Sequence, residues 1–264
     1  MTPGESFARL HDQGTFIMPN VWDLGSLHIV VSLGFAAVAT TSSGFAASMG
    51  RMDQQTTLEE LEKHVAALTS ESPVPISVDA EDGYSATSQG VATTVERLAA
   101  VGAAGVSIED FSPDSGIYPI DVGAERVAAA AEVAHRHGLV LTARAENHLY
   151  DRADLEDTIN RLLAYRQAGA DVLYAPGLDD MDELRTLVEA VAAPINVLLR
   201  RGGPTVPRLT EIGVRRISTG GALAFAAYGA LAEAARELLE SGTTGFMDRV
   251  LSEEDRLRAF RRGE

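Results

Sequence analysis

Cysteine is absent from the 264 residues of the chain, and lysine occurs once, as Lys63. Without cysteine there can be no disulfide, no thiolate zinc site, no iron–sulfur cluster and no cysteine nucleophile or acid. A Schiff-base mechanism needs a lysine amine, so it would have to use Lys63. Covalent catalysis through a thiol is therefore excluded, and catalysis through an amine is restricted to one residue.

Positive charge is also scarce. Lys and Arg total 22 against 38 Asp and Glu, which gives a formal net charge of -16 at pH 7. Nucleic-acid binding needs a basic face to neutralise phosphates, so this composition predicts no nucleic-acid partner. An anionic substrate would need a cation or a local arginine to offset the field of the chain itself.

Long apolar runs are missing as well. No uncharged apolar segment reaches about eighteen residues, so we predict no membrane-spanning helix and no membrane partner. Met1–Leu10 contain no long apolar core of the kind that a secretory signal has. The composition, with 45% hydrophobic and 23% charged residues, is that of a globular protein, and we predict a cytoplasmic location.

Short apolar segments alternate along the chain with longer, alanine- and leucine-rich amphipathic segments. The short segments predict eight strands: Phe16–Val21, Ala36–Thr41, Pro75–Asp79, Gly105–Glu109, Leu139–Arg144, Val172–Ala175, Ile195–Leu199 and Arg215–Thr219. The longer ones predict helices, among them Leu58–Thr69, Ser88–Val101, Ala124–His137, Leu155–Ala168, Met181–Val191 and Ala222–Leu239. Glycines such as Gly169 and Gly213 stand where predicted helices end, because glycine tolerates the left-handed conformation.

Eight strands that alternate with helices predict an α/β protein with a (β/α)8 TIM-type barrel, for which about 250 residues is a typical length. A doubly wound open sheet is the alternative, but no G-x-G-x-x-G motif follows the first strand, which disfavours dinucleotide binding. We expect the barrel over residues 1–240 and a C-terminal linker and helix over residues 241–264. The charged helix should run from about Arg249 to Arg262.

Carboxylates gather at the predicted carboxyl ends of the strands, which in a barrel form the functional face. Asp79 and Glu109 each close an apolar strand, and Asp53, Glu81 and Glu146 follow strand ends closely. Five carboxylates in one mouth cannot all stay ionised without compensation. A hard divalent cation would compensate them, so we predict Mg²⁺, with Mn²⁺ as a possible substitute. Mg²⁺ commonly takes one or two carboxylates directly and keeps several waters.

Some of these polar residues have structural alternatives. An acidic residue after a strand can cap the next helix, an interpretation that fits Asp82, Asp110 and Asp154. For the carboxylates that themselves end strands, the position favours function. Arg144 closes an apolar strand, where it either forms a structural ion pair or clamps a substrate carboxylate with its planar guanidinium.

A hydroxyl-rich turn follows the second strand. Thr41, Ser42 and Ser43 offer hydroxyls and backbone N–H groups that could form a nest for an anion. The histidines show no metal-ligand pattern, and only His148, just after the fifth strand, lies near the predicted mouth.

Taken together, several segments resemble the isocitrate lyase/phosphoenolpyruvate mutase superfamily in order and spacing, over about residues 15 to 240. They are Pro19–Asp23, Thr40–Gly44 leading to Gly50–Asp53, Val78–Tyr84, Ile108–Asp110 and Ala143–Glu146. The resemblance implies a (β/α)8 barrel that binds Mg²⁺ and an α-oxo or α-hydroxy carboxylate. Members of this superfamily make or break C–C or P–C bonds through an enolate held on the metal.

Residue by residue, the resemblance also implies roles for the site. Asp79 would be the direct metal ligand, and Asp53, Glu81 and Glu109 would reach the metal largely through waters. The substrate would be bound by Trp22, Thr41, Ser42, Ser43 and Arg144. Because family members exchange a C-terminal helix and form tetramers of paired barrels, we expect a homodimer or homotetramer.

Two segments that, in the family, determine which bond is made or broken differ here from the family pattern. The isocitrate-type lyases carry their proton donor as the Cys of a Lys-Lys-Cys-Gly-His loop, and the mutases carry an Asn-bearing loop there and a His at the end of strand six. Here Asp110–Tyr118 contains neither Cys nor Lys, and strand six closes with Tyr174–Gly177. We consider Tyr118, Tyr84 and His148 as alternative proton donors.

The sequence thus predicts an Mg²⁺-dependent lyase that cleaves a C–C bond in a small 2-oxo or 2-hydroxy carboxylate through a metal-stabilised enolate. The candidate catalytic residues are Arg144, Glu109, Tyr118 and His148. Two alternatives stay open: a phosphonopyruvate-type P–C bond mutase or hydrolase, and a metal-binding barrel that does not catalyse a reaction.

Overall fold

The structure is a computed structural model that describes residues 1–150 and 152–261. Within these residues, nine parallel strand segments form one sheet around a central axis. They are β1 (Phe16–Met18), β2 (Asn20–Val21), β3 (Val38–Thr40), β4 (Ile76–Asp79), β5 (Gly105–Glu109), β8 (Val140–Arg144), β9 (Val172–Tyr174), β10 (Ile195–Leu198) and β11 (Arg216–Ser218). A small antiparallel hairpin, β6 (Phe111–Ser112) and β7 (Gly116–Ile117), follows β5.

The sheet closes through the first strand. β1 pairs with β11 and β2 pairs with β3, and only Pro19 separates the two segments. Pro19 has no N–H to donate, which accounts for the break in the ladder. β1 and β2 thus act as one strand, and the (β/α)8 barrel is confirmed.

Eleven α-helices are present among the described residues: α1 (Pro3–Leu10), α2 (Leu24–Ser32), α3 (Ser42–Ser48), α4 (Leu58–Glu71), α5 (Ser88–Ala100), α6 (Ile120–Arg136), α7 (Leu155–Gln167), α8 (Met181–Val191), α9 (Val206–Glu211), α10 (Ala222–Ser241) and α11 (Glu253–Phe260). Their apolar faces pack on the strands in a core that includes Leu61, Val78, Val106, Leu141, Leu162 and Leu173. None of the helices in the described ranges is long and apolar enough to cross a membrane. The cytoplasmic location stays a prediction.

The helix ends agree with part of the sequence analysis. Gly169 and Gly213, with φ of 106° and 87°, follow α7 and α9 in the left-handed region as expected. Asp154 caps α7 by accepting a hydrogen bond from the Asp157 N–H (3.1 Å). The capping interpretation is wrong for Asp82 and Asp110, because Thr87 and Pro119 precede α5 and α6.

α3 is a helix where the sequence analysis expects only a turn. Thr41 is its N-cap and accepts a hydrogen bond from the Gly44 N–H (3.3 Å). Gly44 leaves room for the close approach of Thr41 and Trp22, since a Cβ there would lie 2.6 Å from Thr41 Cγ2. This short helix fixes the hydroxyl-rich turn at the edge of the barrel mouth.

Two further α-helices, α10 and α11, follow the last strand of the sheet, and the predicted domain boundary at residue 240 falls at the end of α10. α10 has one buried side chain, Ala224, and its large exposed apolar side chains are Leu223, Phe225, Leu231, Leu238 and Leu239. A 3₁₀ turn (Gly245–Arg249) leads to α11, which packs against α2. The predicted charged helix is present but shorter than expected, and its predicted last position, 262, lies outside the described residues.

Candidate active site

One arginine and three carboxylates meet where adjacent strands end. Asp79 ends β4, Glu109 ends β5 and Arg144 ends β8, with Glu109 and Arg144 opposite each other in the sheet. The three guanidinium nitrogens of Arg144 contact Asp79 Oδ1 (2.8 Å), Glu109 Oε2 (3.0 Å) and Glu146 Oε1 (2.8 Å). Each nitrogen therefore serves a different carboxylate, and we call these four residues the Arg144 cluster.

Burial controls the protonation of the Arg144 cluster. It raises the pKa of Glu109 well above the ordinary value, although Arg144 acts in the opposite direction, and it raises the pKa of Glu146 in the same way. Burial alone would lower the pKa of Arg144, but Glu146, Glu109 and Asp79 together hold it well above its usual range. The guanidinium is thus the fixed positive charge around which the acidic residues are arranged.

A strained turn brings Glu81 back toward this cluster. Glu81 and Tyr84 have φ of 48° and 55°, in the left-handed region that residues with a side chain rarely adopt. The Tyr84 hydroxyl donates a hydrogen bond to Glu81 Oε1 (2.9 Å). Burial, with a contribution from Asp79, raises the pKa of Glu81 to about 7. Backbone strain beside a perturbed carboxylate is typical of functional sites.

A cavity of about 170 Å³, which we call the main cavity, opens beside the Arg144 cluster and continues into the barrel. Its mouth is lined by Ser42, Ser43, Asp53, Asp79 and Arg144. Its inner end is lined by Ser77, Ser107, Asn196, Arg216 and Ser218. Predicted metal and substrate residues from four different parts of the sequence therefore share one cavity.

The predicted anion nest holds an anion of the protein itself. The Ser42 N–H donates a hydrogen bond to Asp79 Oδ2 (3.1 Å), and the Thr41 and Ser43 hydroxyls lie 3.1 Å apart. Asp79 is therefore fixed from two sides, by Ser42 and by Arg144. Ser42 and Ser43 line the same cavity, and the Ser42 side chain also hydrogen-bonds Asp53. A serine hydroxyl can donate to a bound carboxylate.

The donor set fits a hydrated hard cation. Each oxygen of Asp79 has one partner, which leaves a lone pair on each, and Asp53 lies at the same mouth. Within residues 1–150 and 152–261, no three acidic or histidine side chains are placed to coordinate one ion together. The free lone pairs of Asp79 suit Mg²⁺, which accepts one or two carboxylates and keeps its waters. Direct binding of the ion by Asp79, with Asp53, Glu81 and Glu109 holding it through waters, stays a prediction.

Five predicted site residues in the described part of the chain do not line the main cavity. Glu81 lines a neighbouring cavity and Glu109 contacts Arg144, while Tyr118, His148 and Trp22 have other partners. The Tyr118 hydroxyl donates to Asp82 Oδ2 (3.2 Å) in a neighbouring cavity that also holds Tyr84. His148 Nε2 lies 2.9 Å from the Thr158 hydroxyl. The Trp22 N–H donates to Ser26 Oγ (3.0 Å) at the start of α2. The roles of Tyr118, His148 and Trp22 stay predictions, but none of them lines the main cavity.

Tyr174 also lines the main cavity, although it is not among the predicted site residues. It ends β9, is 9% exposed, and its ring centroid lies 5.5 Å from the guanidinium carbon of Arg144. Burial raises the pKa of its hydroxyl to about 12. The signal was present, since Tyr174 closes a strand in the same way as Asp79 and Glu109.

Asp110 supports the site from behind. Its carboxylate accepts hydrogen bonds from the Glu146 N–H (2.8 Å), the Tyr165 hydroxyl (2.5 Å) and Arg161 Nη1 (3.1 Å). Arg161 and Tyr165 lie one turn apart on α7, so this helix is tied to the loop that carries Glu146. Asp110 therefore fixes a member of the Arg144 cluster.

Comparison with known proteins agrees with this geometry. The model of the family described as phosphoenolpyruvate phosphomutase matches residues 7–239. A crystal structure of a candidate lyase/mutase from Burkholderia cenocepacia J2315 superposes with a TM-score of 0.93 and 43% identity, covering 97% of this chain and 95% of that one.

Two curated relatives are similar over most of their length. An uncharacterized protein of Mycobacterium tuberculosis (strain CDC 1551 / Oshkosh) is 37% identical over 88% of both chains. Oxaloacetate decarboxylase 2 of Pseudomonas putida (strain W619) is 30% identical over 78% of this chain and 70% of its own. With its closed barrel and its carboxylates at the strand ends, the chain belongs to the isocitrate lyase/phosphoenolpyruvate mutase superfamily of carbon–carbon lyases and mutases.

Proposed function

We propose that the protein is an Mg²⁺-dependent lyase that cleaves a C–C bond in a small 2-oxo or 2-hydroxy carboxylate. The observation that carries this proposal is the Arg144 cluster at the mouth of the main cavity, with Asp79 and Asp53 available to a cation. The 30% identity with an oxaloacetate decarboxylase supports the same class of substrate.

The size of the main cavity supports a small substrate. Its volume of about 170 Å³ is below the roughly 300–1,000 Å³ of pockets that take drug-sized ligands. Its polar lining of serines, Asn196 and two arginines suits an acid with few carbons. Ser42 and Ser43 would bind one carboxylate of such an acid through their hydroxyls.

The reaction moves the electron pair of the C–C bond and brings one proton to carbon. In a 2-oxo acid that is decarboxylated, CO2 leaves as the C–C bond breaks, the electrons of the bond pass to the neighbouring carbonyl and form an enolate, and a proton must then reach the carbon. In a 2-hydroxy acid the hydroxyl proton passes to water, the hydroxyl carbon leaves as a carbonyl, and the bond electrons form the enolate of the other fragment, which takes up a proton in the same way. When bound at Asp79, Mg²⁺ supplies Lewis-acid stabilisation of the negative charge on the substrate oxygen. Arg144 holds Asp79, Glu109 and Glu146 in a fixed array, so the site needs little rearrangement as that charge develops.

Tyr174 is the residue best placed to donate the proton. Its pKa of about 12 keeps the hydroxyl protonated at neutral pH. It lines the main cavity beside Arg144, and its hydroxyl hydrogen-bonds with Ser218. The positive charge of Arg144 favours the tyrosinate that forms when the proton is donated. The O–H bond breaks as the C–H bond forms, and the phenol regains a proton from solvent.

P–C bond chemistry is not favoured by the described residues. A transferred phosphoryl group carries a high negative charge and needs cationic clamps. At the mouth of the main cavity the described lining includes one arginine, Arg144, which already contacts three carboxylates. The mouth therefore suits carboxylate chemistry better.

The first prediction concerns the reaction and its proton donor. A panel of 2-oxo and 2-hydroxy di- and tricarboxylates, with phosphonopyruvate, is incubated with Mg²⁺ and followed by ¹H and ³¹P NMR. We expect Mg²⁺-dependent release of an oxo acid from at least one carboxylate. Tyr174→Phe should slow it by roughly a hundredfold or more, the usual contribution of a general acid.

Tyr118→Phe is the matched comparison, because Tyr118 is the rival donor in the neighbouring cavity. It should keep nearly full activity. Full activity in Tyr174→Phe together with loss in Tyr118→Phe would transfer the donor role to Tyr118. Phosphate released from phosphonopyruvate would contradict the C–C proposal, and no turnover of any compound would contradict catalysis.

The second prediction separates the two interpretations of Arg144. Lysine keeps the positive charge but lacks the planar guanidinium with which Arg144 contacts three carboxylates. Losing one charged hydrogen bond costs about 1.5–3 kcal/mol, or roughly tenfold to more than a hundredfold in rate or binding. We expect Arg144→Lys to lower kcat/KM at least tenfold on the active acid.

The control is Arg200→Lys. Arg200 follows the end of β10 and forms an exposed ion pair with Asp179 (3.3 Å). The Arg200→Lys variant should leave kcat/KM unchanged. Melting temperature and kcat/KM are measured on the same preparations. If the Arg144→Lys variant is destabilised but its folded fraction is fully active, Arg144 is a structural ion-pair partner and the substrate-binding interpretation is wrong.

We also propose that α10 is covered by a second copy of the chain in a homodimer or homotetramer. Its apolar side chains are exposed in the single chain, with Leu231 at 65% and Leu239 at 88% exposure. The resemblance of the sequence to a family that exchanges its C-terminal helix supports the same surface. Light scattering should give a mass of at least twice 28.0 kDa, whereas a monomer at micromolar concentration would refute the assembly.

A further inference from the structure

Inside the barrel lies a second arginine that the proposed reaction does not use. Arg216 begins β11, is 2% exposed and lines the inner end of the main cavity. Unlike Arg144, it has no carboxylate partner among residues 1–150 and 152–261. A buried charge is costly unless it is paired and hydrogen-bonded, so its surroundings need an explanation.

All three hydrogen-bond partners of Arg216 are neutral. Its Nε donates to Asn196 Oδ1 (2.9 Å) and its Nη2 to Thr142 Oγ1 (2.8 Å), and Nη1 lies 3.5 Å from His11 Nε2. Because His11 Nδ1 lies 3.0 Å from the Phe7 carbonyl, Nδ1 carries the hydrogen and Nε2 faces Arg216 as an acceptor. Burial and Arg216 lower the pKa of His11 to about 4, so this ring is neutral at pH 7.

The hydrogen bonds of the guanidinium are also incomplete. A guanidinium has five N–H donors, and three of those of Arg216 are used by Asn196, Thr142 and His11. The ring of Phe7, with its centroid 5.9 Å from the guanidinium carbon, offers only a cation–π contact near the limit of range. Two N–H groups and a full positive charge therefore remain for another partner.

Space for that partner exists at the inner end of the main cavity. Barrels of this fold usually fill their interior with branched side chains such as valine, isoleucine and leucine. Here the lining of the main cavity includes the small side chains Ala39, Ser77, Ser107 and Ser218, besides larger ones such as Met18 and Leu198. The serine hydroxyls can turn their hydrogens toward a negative group, and Ser218 Oγ is already held by Asn196 Nδ2 (2.9 Å).

We propose that the inner end of the main cavity, beside Arg216, is a binding site for a small, singly charged anion. The guanidinium supplies the charge and two N–H donors, and serine hydroxyls complete the shell. A free halide ion has this chemistry, and so has the far carboxylate of a substrate held at the mouth. The second source, unlike the first, rests on the proposed function.

The spacing of the two arginines would allow the far carboxylate of a substrate held at the mouth to reach Arg216. Thr142, which accepts from Arg216, precedes Arg144 by two residues on β8. Two residues of a strand span about 7 Å, which is close to the separation of the outer oxygens in a four- or five-carbon dicarboxylate. One acid could therefore reach from the mouth to Arg216.

The test uses halide ions first, because they need no catalysis. Crystals of the wild-type protein grown in bromide should show an anomalous peak in contact with the Arg216 guanidinium. In solution, replacing a bulky sulfonate, 3-(N-morpholino)propanesulfonate, by chloride at constant ionic strength should raise the melting temperature by about 2–4 °C, the response to roughly 1 kcal/mol in a chain of this size.

Arg216→Met should abolish this chloride response. Arg215→Met is the matched control, because the neighbouring Arg215 is partly exposed and contacts the Gly14 carbonyl outside the cavity (3.4 Å); it should keep the response. If Arg216→Met does not fold, the bromide peak in the wild type decides alone. No bromide peak, together with equal chloride responses in the wild type and Arg216→Met where that variant folds, would overturn the proposal.

Succinate, a four-carbon dicarboxylate with no 2-oxo or 2-hydroxy group, distinguishes the two sources. Its displacement of bromide from Arg216 would identify the site as one for a substrate carboxylate, and bromide that persists beside bound succinate would identify a halide site. Either result supports an anion at Arg216. Because neither needs turnover, the anion site and the lyase proposal can fail separately.

Discussion

The ion pairs of Arg144 with three carboxylates are the interaction on which the rest of the site depends. A single guanidinium contacts Asp79, Glu109 and Glu146 within 3.0 Å, at the ends of neighbouring strands in the barrel. Without it, burial and mutual repulsion would favour protonated carboxyls, since both already raise the pKa of Glu109. With it, the acidic residues stay in a fixed array, and Asp79 keeps a lone pair on each oxygen for a cation.

Two surrounding elements hold this array in place. α3 donates the Ser42 N–H to Asp79, and Asp110 ties α7 to the backbone of Glu146. The strained turn at Glu81 and Tyr84 adds a carboxyl whose pKa is near neutrality. The main cavity then joins an acidic mouth to a positive inner end at Arg216. Such polarity would orient a small anionic substrate along the barrel axis.

The fold and the mouth of the site could be predicted from the sequence because both leave local signals. Parallel strands buried on both faces form apolar runs, and a charged residue that closes such a run, as Asp79, Glu109 and Arg144 do, marks the functional face. The order and spacing of these residues then identified the superfamily. The identity of the bound acid leaves no comparable signal.

Residues whose partners are distant in sequence were harder to predict. Asp110 has the pattern of a helix cap, yet its partners Arg161 and Tyr165 lie some fifty positions further along the chain. Arg216 begins a continuous apolar strand, where no alternation shows which side chains face the barrel axis. α3 was missed because its Ser-Ser-Gly start is typical of a turn.

The central claim is that the carboxylates at the mouth bind Mg²⁺ through Asp79. Calorimetric titration of Mg²⁺ into the wild type, Asp79→Asn and Asp82→Asn tests it most directly, with circular dichroism to confirm folding. Asp82 is the matched control, since it lies three residues away and contacts Tyr118. The account predicts that Asp79→Asn weakens Mg²⁺ binding by more than about a hundredfold, beyond the usual effect of an outer contact, and that Asp82→Asn binds normally. Unchanged Mg²⁺ affinity in a folded Asp79→Asn variant would contradict it.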